Sequence, residues 1–212
     1  MEAKENGIGN RGNSMCGRYY VDFESSKELQ KILKSLNEKY PGRRPQSGDV
    51  YPTSQCAVWM DHNSEIAPEL SIWGFPKTDH SNIMINARSE TVGEKVMFRN
   101  SFQYRRCVII TQGFYEWNQA KQKFFFTNKQ NHLTCLAGIY DLFEDGSHFV
   151  ILTTRANDSM DPIHHRMPVV LDESHISSWI QDPTYAQNIL SEIPPQLGRV
   201  CREEYEQLSL FT

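Results

Sequence analysis

The feature that most constrains this chain is a series of short apolar segments, rich in β-branched and aromatic residues, separated by polar turns. Such segments predict β-strands. Residues 107–110 are typical of a fully buried strand, residues 113–117 continue it, and residues 124–127 are predicted to complete a hairpin. Further strands are predicted at 16–23, 55–60, 69–73, 135–140, 149–154 and 169–171.

Helical patterns are fewer. After a cap at Ser25 or Ser26, apolar residues recur at the spacing of one helix face, and Pro41-Gly42 ends the helix. A second helix is predicted at 173–181, with Asp172 as its cap. Strands and helices do not alternate as βαβ units. The sequence therefore predicts a single α+β domain, with a strongly curved, mostly antiparallel sheet (a pseudo-barrel) and a few flanking helices.

Composition narrows the class of protein. Of the 212 residues 39% are hydrophobic and 23% charged, and the net charge is −4. No apolar run could span a bilayer, so we expect a cytoplasmic protein without membrane contact. We also expect it to be a monomer. The five cysteines are scattered with no C-x-x-C spacing, so we expect no disulfide framework, no metal site and no cofactor. DNA binding would need a local basic surface.

Cys16 follows a second methionine, Met15, and a polar segment over residues 1–14 that we expect to be disordered. If translation starts at Met15, or the leader is removed, Cys16 carries a free α-amine beside its thiol. This 1,2-aminothiol condenses with an aldehyde to an imine, and the thiolate then closes a thiazolidine ring. The alternative is a small buried cysteine that opens a strand.

Three other polar residues interrupt apolar surroundings or follow them closely. Glu116 lies between Tyr115 and Trp117, where burial would raise its pKa toward neutrality, unless an arginine pairs with it. His164 precedes a strand and could shuttle protons. Asn86 is either a turn residue or an amide that orients a substrate oxygen.

Five sequence blocks, taken together, closely resemble the SRAP family, named for SOS response-associated peptidase. The blocks are Met15-Cys16-Gly17-Arg18-Tyr19, Asn86-Ala87-Arg88-Ser89-Glu90-Thr91, Arg105-Arg106-Cys107, Gly113-Phe114-Tyr115-Glu116-Trp117 and Ile163-His164-His165-Arg166-Met167-Pro168. The resemblance implies a sensor of abasic sites in single-stranded DNA that traps them as a thiazolidine. It implies that Cys16 forms the crosslink and that Asn86, Glu116 and His164 complete the active site.

The same resemblance implies a DNA interface. Arg18, Arg88 and Arg166 would contact phosphates, and Trp117 would line the DNA cleft. The chain departs from the family in its short segment after Trp73-Gly74, so we expect base stacking to rely on Phe75 or other residues.

Two other classes of function remain open from the sequence. Cys16 and His164 are compatible with a cysteine or N-terminal-nucleophile peptidase limited to cleaving its own leader. A non-catalytic single-stranded DNA-binding module, in which Cys16 is structural, is the third class.

We divide the chain into a leader or upstream extension (1–15), a catalytic domain (16–200) and a tail (201–212). The tail contains Gln207, Leu208, Leu210 and Phe211 in a Gln-Leu-Ser-Leu-Phe sequence. This sequence resembles the peptide by which bacterial proteins bind the DNA polymerase sliding clamp. We therefore expect the sliding clamp to be a partner and the protein to be located at the nucleoid. The alternative is that the tail packs onto the core as a strand.

Overall fold

The computed structural model describes residues 16–77, 82–130 and 133–202. These ranges contain four α-helices: α1 (Lys27–Lys39), α2 (Arg99–Tyr104), α3 (Ile176–Gln181) and α4 (Pro183–Ile189). Two 3-10 turns span Ser89–Thr91 and Glu173–His175. The strands are β1 (Tyr19–Val21), β2 (Gly48–Val50), β3 (Gln55–His62), β4 (Glu65–Trp73), β5 (Phe75–Pro76), β6 (Ile83–Met84), β7 (Asn86–Arg88), β8 (Arg106–Thr111), β9 (Gly113–Trp117), β10 (Lys123–Asn128), β11 (Thr134–Phe143), β12 (Gly146–Arg155), β13 (Arg166–Pro168), β14 (Val170–Leu171) and β15 (Leu197–Cys201).

Five strands close into a barrel. Strand β3 pairs antiparallel with β4 and β8, β8 pairs with β11, and β11 pairs with β12. Strand β12 then closes the ring on β4 through a short parallel register, His148 opposite Ile72 and Phe149 opposite Trp73. The predicted strongly curved, mostly antiparallel sheet is confirmed.

A second sheet of five strands, in the order β15, β10, β9, β1 and β2, positions the site. Tyr19 lies opposite Phe114 of β9, and the Tyr115 amide donates to the Arg18 carbonyl at 2.9 Å. Because the two strands are antiparallel, the residues that precede β1 run beside the residues that end β9. This register brings Cys16 to Glu116.

Aromatic side chains join the two sheets. The rings of Tyr19 and Trp73 have centroids 5.2 Å apart, and those of Trp73 and Phe149 stack at 6.2 Å. Inside the barrel, a Cβ at Gly138 would lie only 2.6 Å from Ile109 Cδ1, so packing there leaves room for glycine alone. Site and barrel therefore share one core.

The first helix matches its prediction. The Ser26 hydroxyl accepts from the Leu29 amide at 3.2 Å, and the apolar face buries Leu29, Ile32 and Leu36. An N-cap of this kind satisfies one of the helix's unpaired amides. Of the two cap candidates, Ser26 is the cap.

The second predicted helix needs correction. Residues 173–175 form a 3-10 turn and only Ile176–Gln181 is α-helical, while Asp172 makes no side-chain capping bond. Asp172 occupies the predicted N-cap position, but of this 3-10 turn and without a side-chain hydrogen bond. Asp182 instead caps α4, accepting from the amides of Thr184 and Tyr185 at 2.8 and 3.1 Å. None of the helices in the three described ranges has the length and apolar character needed to cross a bilayer.

Candidate active site

Cys16 is fully buried and has a backbone φ of 47°, in the left-handed region that residues other than glycine rarely adopt. Its backbone N–H donates to Glu116 Oε2 at 2.9 Å. Burial, and secondarily the Glu116 charge, raise the pKa of the Cys16 thiol well above its ordinary value. The Cys16 thiol is therefore held as S–H, and the Cys16 backbone nitrogen is fixed against the carboxylate of Glu116.

Glu116 is the buried carboxylate of the site, with 5% of its surface exposed. Its Oε1 accepts from the Trp117 amide at 3.2 Å. Burial raises its pKa, and the hydrogen bonds from the Cys16 and Trp117 amides partly offset that rise. The Glu116 carboxylate is held by the backbone amides of Cys16 and Trp117. Among the residues that the structure describes, no arginine forms an ion pair with it. The expected burial of Glu116 is confirmed.

His164 is nearly buried in a turn that faces β9. Nδ1 faces the Arg166 backbone, 3.1 Å from the amide nitrogen and 3.3 Å from the carbonyl oxygen. In the tautomer in which Nδ1 accepts from that amide, the ring N–H is at Nε2. The ring stacks on His165 at 4.5 Å between centroids.

Glu116 and His164 line one open cleft of about 970 Å³. One wall is the end of β9 with the turn that follows it, and the other is the turn before β13. The lining residues are Glu116, Trp117, Asn118, Gln119, Ala120, Lys121, Asp161, Pro162, Ile163, His164 and His165. The cleft is thus bounded by a buried carboxyl group, an imidazole and an aromatic side chain, and the Cys16 amide is hydrogen-bonded to that carboxyl group.

Asn86 opens β7, which pairs in parallel with β12, Asn86 opposite Ile151. The preceding residue, Ile85, contacts the Cys16 segment, since a Cβ at Gly17 would lie 3.9 Å from Ile85 Cδ1. The Ile85 carbonyl also accepts from Trp73 Nε1 at 3.1 Å. Asn86 therefore follows a residue that lies beside Gly17, the neighbour of Cys16, and it is not among the residues that line the cleft.

The predicted DNA-binding residues have three different environments. Arg18 lies with its guanidinium 5.2 Å from the centre of the Trp117 ring and 3.6 Å from the Asp49 carboxylate. Arg88 is exposed. Arg166 forms a two-pronged ion pair with Glu90, with Nη2 to Oε2 at 2.9 Å, and lowers the pKa of that carboxyl. The structure thus brings Arg18 and Trp117 together and gives Arg166 a counter-charge.

The expected stacking of bases on Phe75 is wrong, and the expectations for the two ends of the chain cannot be compared with the described residues. Phe75 is 1% exposed and packs between Phe98 and Phe143, so it offers no face for base stacking. The clamp-like tail sequence and the leader before Cys16 lie outside the described residues.

Sequence reasoning missed Asp49 and Tyr51, which flank Arg18. The Tyr51 ring lies 4.6 Å from the Arg18 guanidinium. Only the pairing of β1 with β2, Tyr19 opposite Val50, brings these residues to the site. No local pattern in the sequence around Tyr51 signals that pairing.

Fold and site together define a mostly β protein in which a buried cysteine, a buried glutamate and a histidine gather at one cleft beside a closed barrel. Residues 15–202 match the family model described as SOS response associated peptidase (SRAP). The chain belongs to this family.

Known relatives agree with that assignment. The chain is 35% identical over 195 residues to abasic site processing protein YoaM of Bacillus subtilis, covering 83% of this chain and 85% of the relative. It is 31% identical over 196 residues to abasic site processing protein YoqW of the same organism, covering 83% and 86%. A crystal structure of a Bacteroides thetaiotaomicron protein superposes with a TM-score of 0.71 at 22% identity, covering 89% of this chain and 92% of that one. This last likeness supports the fold.

Proposed function

We propose that this protein processes abasic sites in single-stranded DNA by trapping them covalently, through Cys16, once the residues before Cys16 are removed. The contact between the Cys16 nitrogen and Glu116 Oε2, at 2.9 Å, carries the proposal. With the leader removed, that nitrogen is an α-amine held beside both the thiol and a carboxyl of raised pKa. Relatives named for abasic site processing support the choice of substrate.

The chemistry balances without a cofactor. The open abasic sugar presents an aldehyde, and the amine adds to its carbon to give a carbinolamine. A proton from Glu116 lets the hydroxyl leave as water, and the iminium nitrogen then returns a proton to the Glu116 carboxylate, which leaves the imine. The Cys16 sulfur then adds to the imine carbon, its proton passes to nitrogen, and a thiazolidine results. One water is lost overall.

His164 has a complementary role in the proposal. Its Nε2–H would donate toward the ring oxygen of the closed sugar and favour the aldehyde form, while Asn86 would orient a sugar oxygen. Arg18, Arg88 and Arg166 would contact phosphates, and Trp117 would support the strand.

Protein that begins at Cys16 should give a denaturant-resistant adduct with an abasic single-stranded oligonucleotide. Its mass should equal the sum of the two components minus one water. Cys16→Ser should give no such adduct, whereas Cys201→Ser, at an exposed cysteine, should react normally. An oligonucleotide without an abasic site is the substrate control.

Single-turnover crosslinking rates of the same protein test the roles. Glu116→Gln and His164→Ala should each slow adduct formation by about 10² or more, as expected for loss of general acid-base catalysis. His165→Ala, in the same cleft, is the matched control and should lose far less. An unshifted band with the wild-type protein would remove the function. Unchanged rates in both variants would remove the roles.

A further inference from the structure

The outer face of the second sheet carries a run of aromatic rings, each beside a cation. Lys123 Nζ lies 4.4 Å from the centre of the Tyr115 ring, and the Arg202 guanidinium lies 4.8 Å from that of Phe125. The Tyr115 and Phe125 rings are themselves 4.8 Å apart. With Arg18 over Tyr51, these pairs form one surface, which we call the cation-aromatic face (Arg18, Tyr51, Tyr115, Lys123, Phe125 and Arg202).

Strand pairing makes this face continuous with the cleft. Tyr115 and Trp117 are two residues apart on β9, so both side chains point to the same side of the sheet. Lys123 of β10 lies opposite Trp117, and Phe125 lies opposite Tyr115. The Arg202 amide donates to the Lys123 carbonyl at 2.9 Å. A bound DNA strand that leaves the cleft past Trp117 would therefore meet this face next.

The charge of the face is opposite to that of the whole molecule. Its described contacts include three cations, Arg18, Lys123 and Arg202, and one carboxylate, Asp49, which pairs with Arg18 at 3.6 Å. The chain as a whole has a net charge of −4. Lys123 and Arg202 thus provide a local positive potential on a molecule that otherwise repels polyanions.

Rings and cations have separate parts in such a surface. Tyr115 and Phe125 are 3% and 9% exposed, so they serve to hold the cations above them. Tyr51 is 44% exposed, so part of its side chain is accessible to a base. Proteins that bind single-stranded nucleic acid without sequence preference combine basic grooves with stacking rings in this way.

We propose that the cation-aromatic face is an extended binding surface for single-stranded DNA, in which Lys123 and Arg202 contact phosphates beyond the cleft and Tyr51 stacks on a base. The inference deepens the proposed function, because the bound strand would be the one that carries the abasic site. It also concerns residues that the crosslinking chemistry does not use.

The first test is salt-dependent binding of the full chain to a single-stranded oligonucleotide without an abasic site. Each phosphate contact to a single strand contributes about 0.7 to the slope of log K against log salt. The double variant Lys123→Gln/Arg202→Gln should therefore reduce that slope by about 1.4 and weaken binding at low salt. Lys31→Gln/Lys34→Gln, which removes two exposed cations from α1, is the matched control and should leave the slope unchanged. Equal slopes in the two double variants would overturn the proposal.

The second test isolates stacking. Tyr51→Leu keeps an apolar side chain but removes the ring, so it should weaken binding to a single strand by about fivefold or more, with no change in salt slope. Binding to a duplex, whose bases are not free to stack on the protein, should change little. Equal loss on both DNAs, or no loss, would overturn the role of Tyr51.

These tests do not depend on the crosslink. If the wild-type chain forms no adduct but the Lys123/Arg202 variant still loses its salt slope, the proposed function fails and the binding face stands. If the adduct forms and both double variants bind alike, the face fails alone.

Discussion

Glu116 is the residue at which two physical effects oppose each other. Burial favours the protonated carboxyl, whereas the amides of Cys16 and Trp117 favour the carboxylate. Burial dominates, so the pKa in the folded protein lies above the ordinary carboxyl value. A carboxyl of raised pKa keeps its proton to a higher pH than an ordinary carboxyl, which suits the proton donation proposed for imine formation.

The raised pKa of Glu116 has a consequence for stability. Between the ordinary carboxyl pKa and the raised one, the folded state binds more protons than the unfolded state. The contribution of the Glu116 carboxyl group to the free energy of unfolding is therefore complete below the ordinary pKa. It is lost as the pH rises through the pKa that Glu116 has in the folded protein. Glu116→Gln should remove this decline with pH.

Urea unfolding of both proteins from about pH 4 to about pH 8 measures the effect, as the pH dependence of the difference between them. Glu94→Gln, at an exposed glutamate, is the control and should keep the wild-type decline. A difference between wild type and Glu116→Gln that does not vary with pH contradicts a raised pKa at Glu116.

At this scale, the sequence predicted the residues whose local context is unusual. Glu116 stands between aromatic residues in an apolar strand, so its burial could be expected. The environment of Arg18 could not, because its counter-charge and its aromatic neighbour, Asp49 and Tyr51, come from a strand distant in sequence.

At the scale of elements, prediction succeeded where the signal was local and periodic. Helix α1 has both a cap and an uninterrupted apolar face, and its start was predicted to within one residue. The helix predicted at 173–181 has a 3-10 first turn, in which Asp172 holds the N-cap position without a side-chain hydrogen bond. The Asp182-Pro183 pair starts another helix directly after it, with the aspartate as cap and the proline in the first turn.

Arg106 shows how helices α2 and α3 are joined to the barrel. Its guanidinium donates to the carbonyls of Phe102 and Gln103 at 2.8 and 2.6 Å, and to those of Trp179 and Ile180 at 2.7 and 2.9 Å. These are carbonyls from the last turns of α2 and α3, where helix dipoles favour a cation. Only the planar five-donor guanidinium can satisfy both ends at once.

Arg106→Met should therefore lower the free energy of unfolding by more than about 3 kcal/mol, because several buried carbonyls lose their donor. Arg106→Lys should recover only part of that loss. Arg105→Met, which breaks a partly exposed ion pair with Asp141, should cost about 1 kcal/mol or less. Urea unfolding curves measure all three, and equal costs at 105 and 106 contradict the argument.

At the scale of the molecule, the sequence predicted a strongly curved, mostly antiparallel pseudo-barrel but not which strands close it. The bridge between β12 and β4 is a short parallel register between segments far apart in the chain. Closure depends on the combined twist of five strands and on core volume, and the core is tightly packed at Gly138. No single segment carries that information.

The clamp-like sequence Gln207-Leu208-Ser209-Leu210-Phe211 gives a prediction at the same scale, independent of the fold. Leucine and phenylalanine side chains in an extended peptide suit apolar pockets, and the glutamine amide supplies hydrogen bonds. A molecule of net charge −4 gains little general attraction to DNA, so tethering at the replication machinery would raise its effective concentration where single strands appear.

The full chain should therefore bind the sliding clamp of its source organism in a calorimetric titration, and a chain lacking residues 207–212 should not. Leu210→Ala/Phe211→Ala should match the deletion, since it removes the two side chains that would fill the pockets, whereas Ser209→Ala should bind like the wild type. Abasic crosslinking by protein that begins at Cys16 should be the same with and without the tail, because the clamp sequence adds local concentration and takes no part in the chemistry. Equal clamp binding by the full and shortened chains, or binding by neither, would remove the tether.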